Sequence, residues 1–175
     1  MNVSIDRVEK GINNRFQNLD GYEFEDFIAD LFDNKGYYAF STKSSSDFGV
    51  DVLASKPGER IAIQCKRYKY NNSTGIKAIQ EVVSGKPYYK ADKTIVITTS
   101  YFTKSAKELA EIHSVELWDW NILKKEVIEE YLTKFKSKKE MEQYIKPKTL
   151  GNYIDDILFK VAVFVIIIVL FAAAI

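Results

Sequence analysis

Three polar residues beside short apolar runs offer the most specific chemistry in this sequence. Asp51 follows a loop, while Gln64 and Lys66 end the strand-like run of residues 60–66. Because a strand alternates its side chains, Gln64 and Lys66 share one face. The Pro-Gly turn at 57–58 folds this run back on the preceding one, so a carboxylate, an amide oxygen and an ammonium converge at one sheet edge. Oxygen ligands for Mg²⁺ beside a cation predict metal-assisted hydrolysis of a phosphodiester.

Composition narrows the possible classes of protein. The 175 residues have room for one ordinary domain and an appendage, and the formal net charge is only +1. Contacts with DNA would therefore come from local patches, since the bulk charge does not favour them. One cysteine excludes an internal disulfide, and a single histidine, His113, excludes metal clusters built from histidine.

The hydrophobic pattern predicts an α/β fold after a lead of residues 1–19. Asp20 and Glu23 have the spacing of a capping box at the start of an amphipathic helix. The predicted elements are a helix at 20–34, a strand at 37–42, a hairpin over 46–67, a helix at 76–89, a strand at 94–99, a helix at 103–113, a strand at 115–118 and a helix at 121–135. Strands that alternate with helices in the second half indicate a mixed central sheet flanked by helices.

The C-terminal end of the sequence differs in character from the rest. Residues 161–175 are fifteen apolar residues in succession, and 157–160 extend the run to nineteen with one lysine, Lys160. We expect a transmembrane helix at 154–175, joined by a basic linker at 136–153 to a domain at 20–135. The lysines before the segment place that domain in the cytoplasm of a single-pass cell-membrane protein. A buried C-terminal helix is the alternative.

Four short motifs carry a resemblance to a known family. They read GYEFE at 21–25, DFGVD at 47–51, QCKR at 64–67 and TTSYFT at 98–103, the last followed by two alanines at 106 and 110. In this order and spacing the sequence resembles the Mrr-like restriction endonuclease family, part of the PD-(D/E)XK nuclease superfamily, over residues 20–123. The resemblance implies a restriction-endonuclease-like fold.

The resemblance also implies roles for individual residues. Asp51 corresponds to the central metal-binding aspartate, and Gln64 takes the place of the second acidic residue of the wider superfamily. Lys66 corresponds to the catalytic lysine, and Glu25 to the acid on the first helix. The expected ligands of Mg²⁺ or Mn²⁺ are Asp51, Glu25, Gln64 and the backbone carbonyl of Cys65.

Two further groups of residues have open interpretations. Arg67, Tyr68 and Lys69 mix basic and aromatic side chains beyond the catalytic strand, so they either contact DNA or form a flexible loop. Gln80 and Glu81, on the helix that follows, either line the site or belong to a solvated face.

The function expected from these observations is a metal-dependent DNA endonuclease, anchored in the membrane as part of a restriction or defence system. The alternative is a catalytically silent, membrane-anchored module of the same fold that binds DNA or a protein. Expected partners are DNA and the membrane, and the sequence leaves both a monomer and a homodimer open.

Overall fold

The computed structural model describes residues 5–42 and 48–132, with the side chains of residues 5–7 and 132 excepted. Its elements in chain order are α1 (Ile5–Asn14), α2 (Gly21–Asn34), β1 (Tyr38–Ser41), β2 (Val52–Lys56), β3 (Glu59–Lys66), α3 (Ile76–Tyr88), β4 (Lys93–Thr98), α4 (Lys104–Ile112), β5 (Val115–Trp118), α5 (Trp120–Val127) and a π-helical turn at Ile128–Leu132. The predicted succession of strands and helices is confirmed, and α1 precedes it.

The five strands form one mixed sheet in the order β1-β2-β3-β4-β5. The first three strands are antiparallel neighbours, whereas β4 and β5 run parallel to β3. Gly58 makes the β2–β3 turn with φ of +79°, a value that glycine adopts without a steric penalty. The parallel register pairs Lys66 with Thr98, so β3 and β4 end together at the edge where the polar residues were predicted.

Helix α2 begins at the predicted capping box. The Glu23 amide donates to Asp20 Oδ1 at 2.7 Å, and the Asp20 amide donates to Glu23 Oε2 at 2.8 Å. Its apolar face is buried and consists of Phe24, Phe27, Ile28, Ala29, Leu31 and Phe32. Helix α2 packs on β1 and β2, and Glu25 lies in its N-terminal half.

Two apolar clusters cover the sheet. One joins the sheet to α3 and α4 and includes Val50, Ala62, Ile79, Val82, Val96 and Ala106. In the other, Phe16 packs its ring against Phe24, Phe27 and Trp120. Ala62 belongs to the first cluster, so the alternation of β3 turns Gln64 and Lys66 towards α3 as well.

The predicted fold class needs one correction, which concerns the C-terminal transmembrane helix. Within residues 5–42 and 48–132 no helix is long and apolar enough to cross a membrane. The predicted segment 154–175 and the linker at 136–153 lie outside those ranges. The uninterrupted apolar run within the predicted segment has fifteen residues. At ~1.5 Å per residue that run would extend about 22 Å, short of the ~30 Å hydrocarbon core.

Candidate active site

Asp51 is held in the sheet by its backbone. Its amide donates to the carbonyl of Ile63 at 2.8 Å, and its carbonyl accepts from the amide of Thr42 at 2.9 Å. The residue is only 8% exposed. The antiparallel pairing of β2 with β3 therefore extends to Asp51, the residue just before β2. A buried carboxylate thus lies opposite the end of β3.

Two groups of β3 donate to the same oxygen of this carboxylate. The backbone amide of Cys65 donates to Asp51 Oδ2 at 2.7 Å, and the side-chain Nε2 of Gln64 donates to Oδ2 as well. Since Nε2 faces Asp51, the Gln64 amide oxygen faces the other way. That oxygen is buried and has no hydrogen-bond partner among the described residues. A buried polar atom without a partner costs about 1–3 kcal/mol, so a ligand that bound this oxygen would recover free energy.

The charges around Cys65 show which other groups lie near this point. Burial raises the pKa of the Cys65 thiol well above its usual value, and the negative charges of Asp51 and Glu25 raise it further. The positive charge of Lys66 acts in the opposite direction. Glu25, Asp51 and Lys66 therefore all act electrostatically on one residue of β3, and Glu25 is a half-buried residue of α2.

Lys66 ends β3 in a close ion pair with a residue of α3. Its Nζ lies 2.8 Å from Oε2 of Glu81. Burial lowers the pKa of Lys66, but contact with Glu81 and the charges of Glu81, Asp51 and Tyr68 outweigh burial, so the pKa is raised overall. The ammonium is therefore charged at neutral pH. The sequence left open whether Gln80 and Glu81 on α3 line the site. Gln80 is exposed, whereas Glu81 is in contact with Lys66.

The chain beyond Lys66 is fixed by two threonines at the end of β4. The Lys66 carbonyl accepts from the hydroxyl of Thr98 at 2.9 Å and from the amide of Thr99 at 3.1 Å. The Thr99 hydroxyl accepts from the Tyr68 amide at 2.8 Å. These contacts give the TTSYFT motif a structural role that the sequence did not reveal: it anchors the strand end that carries Lys66.

The predicted DNA contacts lie directly after this anchor. Tyr68 is half-buried with both its backbone amide and carbonyl hydrogen-bonded, Arg67 is half-buried, and Lys69 is exposed. Gln17 also donates to the Tyr68 carbonyl, at 3.0 Å. The segment is thus ordered by backbone contacts, and its role in binding DNA stays a prediction.

The candidate ligands are oxygen atoms, the type that hard cations prefer, although together they carry few negative charges. In the described part of the chain no group of three or more His, Cys, Asp and Glu side chains could hold a metal ion. What β2 and β3 bring together is the Asp51 carboxylate and the unpartnered oxygen of Gln64. Oxygens of both kinds bind Mg²⁺. The Cys65 carbonyl and Glu25 as further ligands stay predictions.

The opposite end of β3 and β4 carries a cleft of about 430 Å³ that none of the predicted site residues lines. Glu59 stands beside it and binds Lys93, Tyr37 and Lys56. These three contacts lower the pKa of Glu59 to about 2. The lysines there are already neutralised, so this end of the sheet is a structural ion-pair network.

Comparison with known families agrees with this geometry. The family model of the Mrr-type catalytic domain, described as restriction endonuclease, matches residues 16–127, more than half of the chain. The chain belongs to the restriction endonuclease family. The match contains every residue assigned above to the site, and it confirms the resemblance seen in the four motifs. No curated protein is similar enough in sequence to count as a match.

Solved structures share the fold of this family member at low sequence identity. A protein of unknown function, AF1548, is 23% identical with a TM-score of 0.52, over 65% of this chain and 65% of that one. The DNA modification-dependent restriction endonuclease AspBHI is 17% identical with a TM-score of 0.54, over 80% and 38% of the two chains. MspJI restriction endonuclease in complex with a 27-mer oligonucleotide is 17% identical with a TM-score of 0.50, over 75% and 33%. The chain thus spans less than two thirds of each of these proteins.

Proposed function

We propose that this chain is a metal-dependent endonuclease that hydrolyses phosphodiester bonds of DNA with Mg²⁺ or Mn²⁺. The observation that carries the proposal is the buried contact between Asp51 and Gln64, which leaves an amide oxygen without a partner beside a charged lysine. Membership of the restriction endonuclease family supports the reaction class. AspBHI is a DNA modification-dependent restriction endonuclease, and MspJI is a restriction endonuclease solved with an oligonucleotide, which supports DNA as the substrate.

The residues divide into those that would hold the metal and one that would face the substrate. Asp51 and the Gln64 oxygen would bind the cation, with Glu25 and the Cys65 carbonyl as additional ligands. When bound, the metal would polarise the scissile phosphate and lower the pKa of a water molecule. The amide of Cys65 and Nε2 of Gln64 both donate to Asp51, so they orient its carboxylate.

Lys66 supplies the positive charge of the site. It follows Gln64 by two residues on the same face of β3, so its ammonium lies beside the oxygen ligands. Because its pKa is raised, it acts as a cation and not as a base. We assign it to orienting the attacking water and stabilising the charge that develops on the phosphate oxygens.

The test is cleavage of plain and methylated plasmid by the full chain in Mg²⁺, in Mn²⁺ and in EDTA. Asp51→Asn and Lys66→Met remove one proposed role each while preserving side-chain size. We expect metal-dependent cleavage by the wild type and a loss of at least about a hundredfold in each variant. Glu108→Gln is the control, because Glu108 forms only an exposed ion pair on α4.

Calorimetric titration with Mn²⁺ separates this proposal from a module of the same fold that only binds DNA. A folded wild type that bound no Mn²⁺ and cut neither plasmid would favour that module. Cleavage by Asp51→Asn at the wild-type rate would show that another residue holds the metal.

A further inference from the structure

Glu81 is the charged residue nearest to Lys66 that the proposed mechanism leaves without a role. Its Oε2 lies 2.8 Å from Lys66 Nζ, with 27% and 21% of the two side-chain surfaces exposed. The other ion pair of Glu81, to Lys77, is longer at 3.8 Å and involves a lysine side chain that is 88% exposed. Glu81 is therefore directed at the end of β3, and its contact with Lys66 is partly shielded from water.

The backbone around Glu81 is tied closely to the segment that leads to Asp51. A Cβ on Gly49 would lie 2.5 Å from the carbonyl oxygen of Glu81, and a Cβ on Gly85 would lie 2.6 Å from the carbonyl oxygen of Phe48. Two glycines thus allow α3 to rest directly on residues 48–50. This packing holds the backbone of Glu81 against the segment that leads into Asp51.

Without Glu81, Asp51 is another anion whose charge acts on the lysine. The four-carbon side chain of Lys66 has the freedom to turn towards it. An ion pair between Lys66 and Asp51 would neutralise both the metal-binding carboxylate and the substrate-facing cation. A competing carboxylate on α3 prevents this collapse.

We infer that Glu81 is a positioning residue that holds the Lys66 ammonium away from Asp51 and beside the substrate phosphate. The inference rests on the proposed nuclease function and adds a component that the motifs do not contain. Glu81 touches neither metal nor substrate in this role and acts through Lys66. A purely structural ion pair would change stability and leave kcat unaltered, so catalytic and stability measurements distinguish the two roles.

The experiment compares Glu81→Gln and Glu81→Asp in the full chain. Glu81→Gln keeps the size of the side chain and removes its charge, and we expect kcat to fall about tenfold to a hundredfold with KM within about twofold. Affinity for uncut plasmid fragments in EDTA should also stay within about twofold of wild type. Glu81→Asp keeps the charge on a shorter side chain, so it should recover part of the lost kcat. Glu108→Gln should match the wild type in all three quantities.

A second measurement does not depend on cleavage. The melting temperatures of wild type, Lys66→Met, Glu81→Gln and the double variant form a thermodynamic cycle, and direct contact predicts that the two single shifts do not add. Additive shifts would overturn the inference, as would wild-type or faster cleavage by Glu81→Gln. A wild type that cleaves no DNA would overturn the proposed function together with this inference, whereas an active wild type with an unimpaired Glu81→Gln would overturn only the latter.

Discussion

Replacing Gln64 with glutamate tests the arrangement of the candidate site more directly than any deletion. In the structure the Gln64 amide nitrogen donates to Asp51, and both residues are buried, with 3% and 8% of their surfaces exposed. Gln64→Glu changes one atom of this contact from a donor into an acceptor. Two carboxylate oxygens would then face and repel each other in place of the hydrogen bond, unless a cation or a proton lies between them.

The expected loss of stability is set by whichever of two responses costs less free energy: keeping both carboxylates charged, or protonating one of them. Two unit charges about 3 Å apart repel by about 5–6 kcal/mol at an effective dielectric constant of about 20. Protonating one carboxyl at about pH 7 costs about 4 kcal/mol for an ordinary glutamate pKa of about 4.3, so the variant takes up a proton. We therefore expect a loss of about 4 kcal/mol in the free energy of unfolding, or roughly 8–15 °C in melting temperature for a chain of this size. The loss should shrink as the pH falls, because protonation becomes cheaper.

A divalent cation should reverse the loss if these oxygens form a metal site. Two carboxylates bind Mn²⁺ more tightly than one carboxylate and an amide, so saturating Mn²⁺ stabilises the variant more than the wild type. The assay is thermal unfolding of both proteins in EDTA and in Mn²⁺. Gln80→Glu makes the same substitution at an exposed position of α3 and should change stability little.

Either of two results would refute this reasoning. Equal stability of Gln64→Glu and wild type in EDTA would mean that the side chain does not face Asp51. A loss that Mn²⁺ leaves unchanged would mean that the paired oxygens do not bind metal.

Two other predictions concern the framework of the site. Gly85→Ala would place a Cβ 2.5 Å from a methyl group of Val50. We therefore expect the free energy of unfolding, measured by chemical denaturation, to fall by about 1–3 kcal/mol. Gly21→Ala is the control and should be tolerated, because its Cβ would have no neighbour within 4 Å. Glu59 has a folded pKa of about 2 against 4.5 as its ordinary value, so its stabilisation is present above about pH 4.5 and is lost as the pH falls through about 2. Acid titration of stability should therefore be shallower in Glu59→Gln, and an unchanged profile would contradict the assignment.

The elements of the fold that could be predicted from the sequence are those governed by local patterns. The capping box at Asp20 needs only a side chain and an amide three residues apart, and the Pro-Gly turn at 57–58 fixes the antiparallel pairing of its own flanking strands. Both depend on neighbours in the chain. The convergence of Asp51 with Gln64 followed from the same hairpin, since the register of a short turn determines which residues face each other.

What the sequence could not supply depends on contacts between distant segments. The pairing of Lys66 with Glu81 requires the path of α3 over the sheet, which is set by the approach of Gly49 and Gly85 to backbone atoms. A glutamate on an amphipathic helix has the same local pattern whether it meets a lysine or water. The predicted transmembrane helix is a separate case, because no helix of the described residues could cross a membrane and the segment 154–175 lies outside them.

Glutamine at the second of the proposed metal-binding positions has a physical consequence for the whole site. A glutamate there would supply charge for the cation but would destabilise the empty site, as the estimate for Gln64→Glu shows. Glutamine instead donates to Asp51 without any metal, and its buried oxygen has no hydrogen-bond partner among the described residues. The affinity for metal is lower with one charge fewer, so the half-buried Glu25 near Cys65 becomes more important. We therefore expect that removing the charge of Glu25 weakens Mn²⁺ binding more in the wild type than in Gln64→Glu, which calorimetric titration of the four proteins would show. Equal losses in both backgrounds would mean that Glu25 and position 64 do not share one cation.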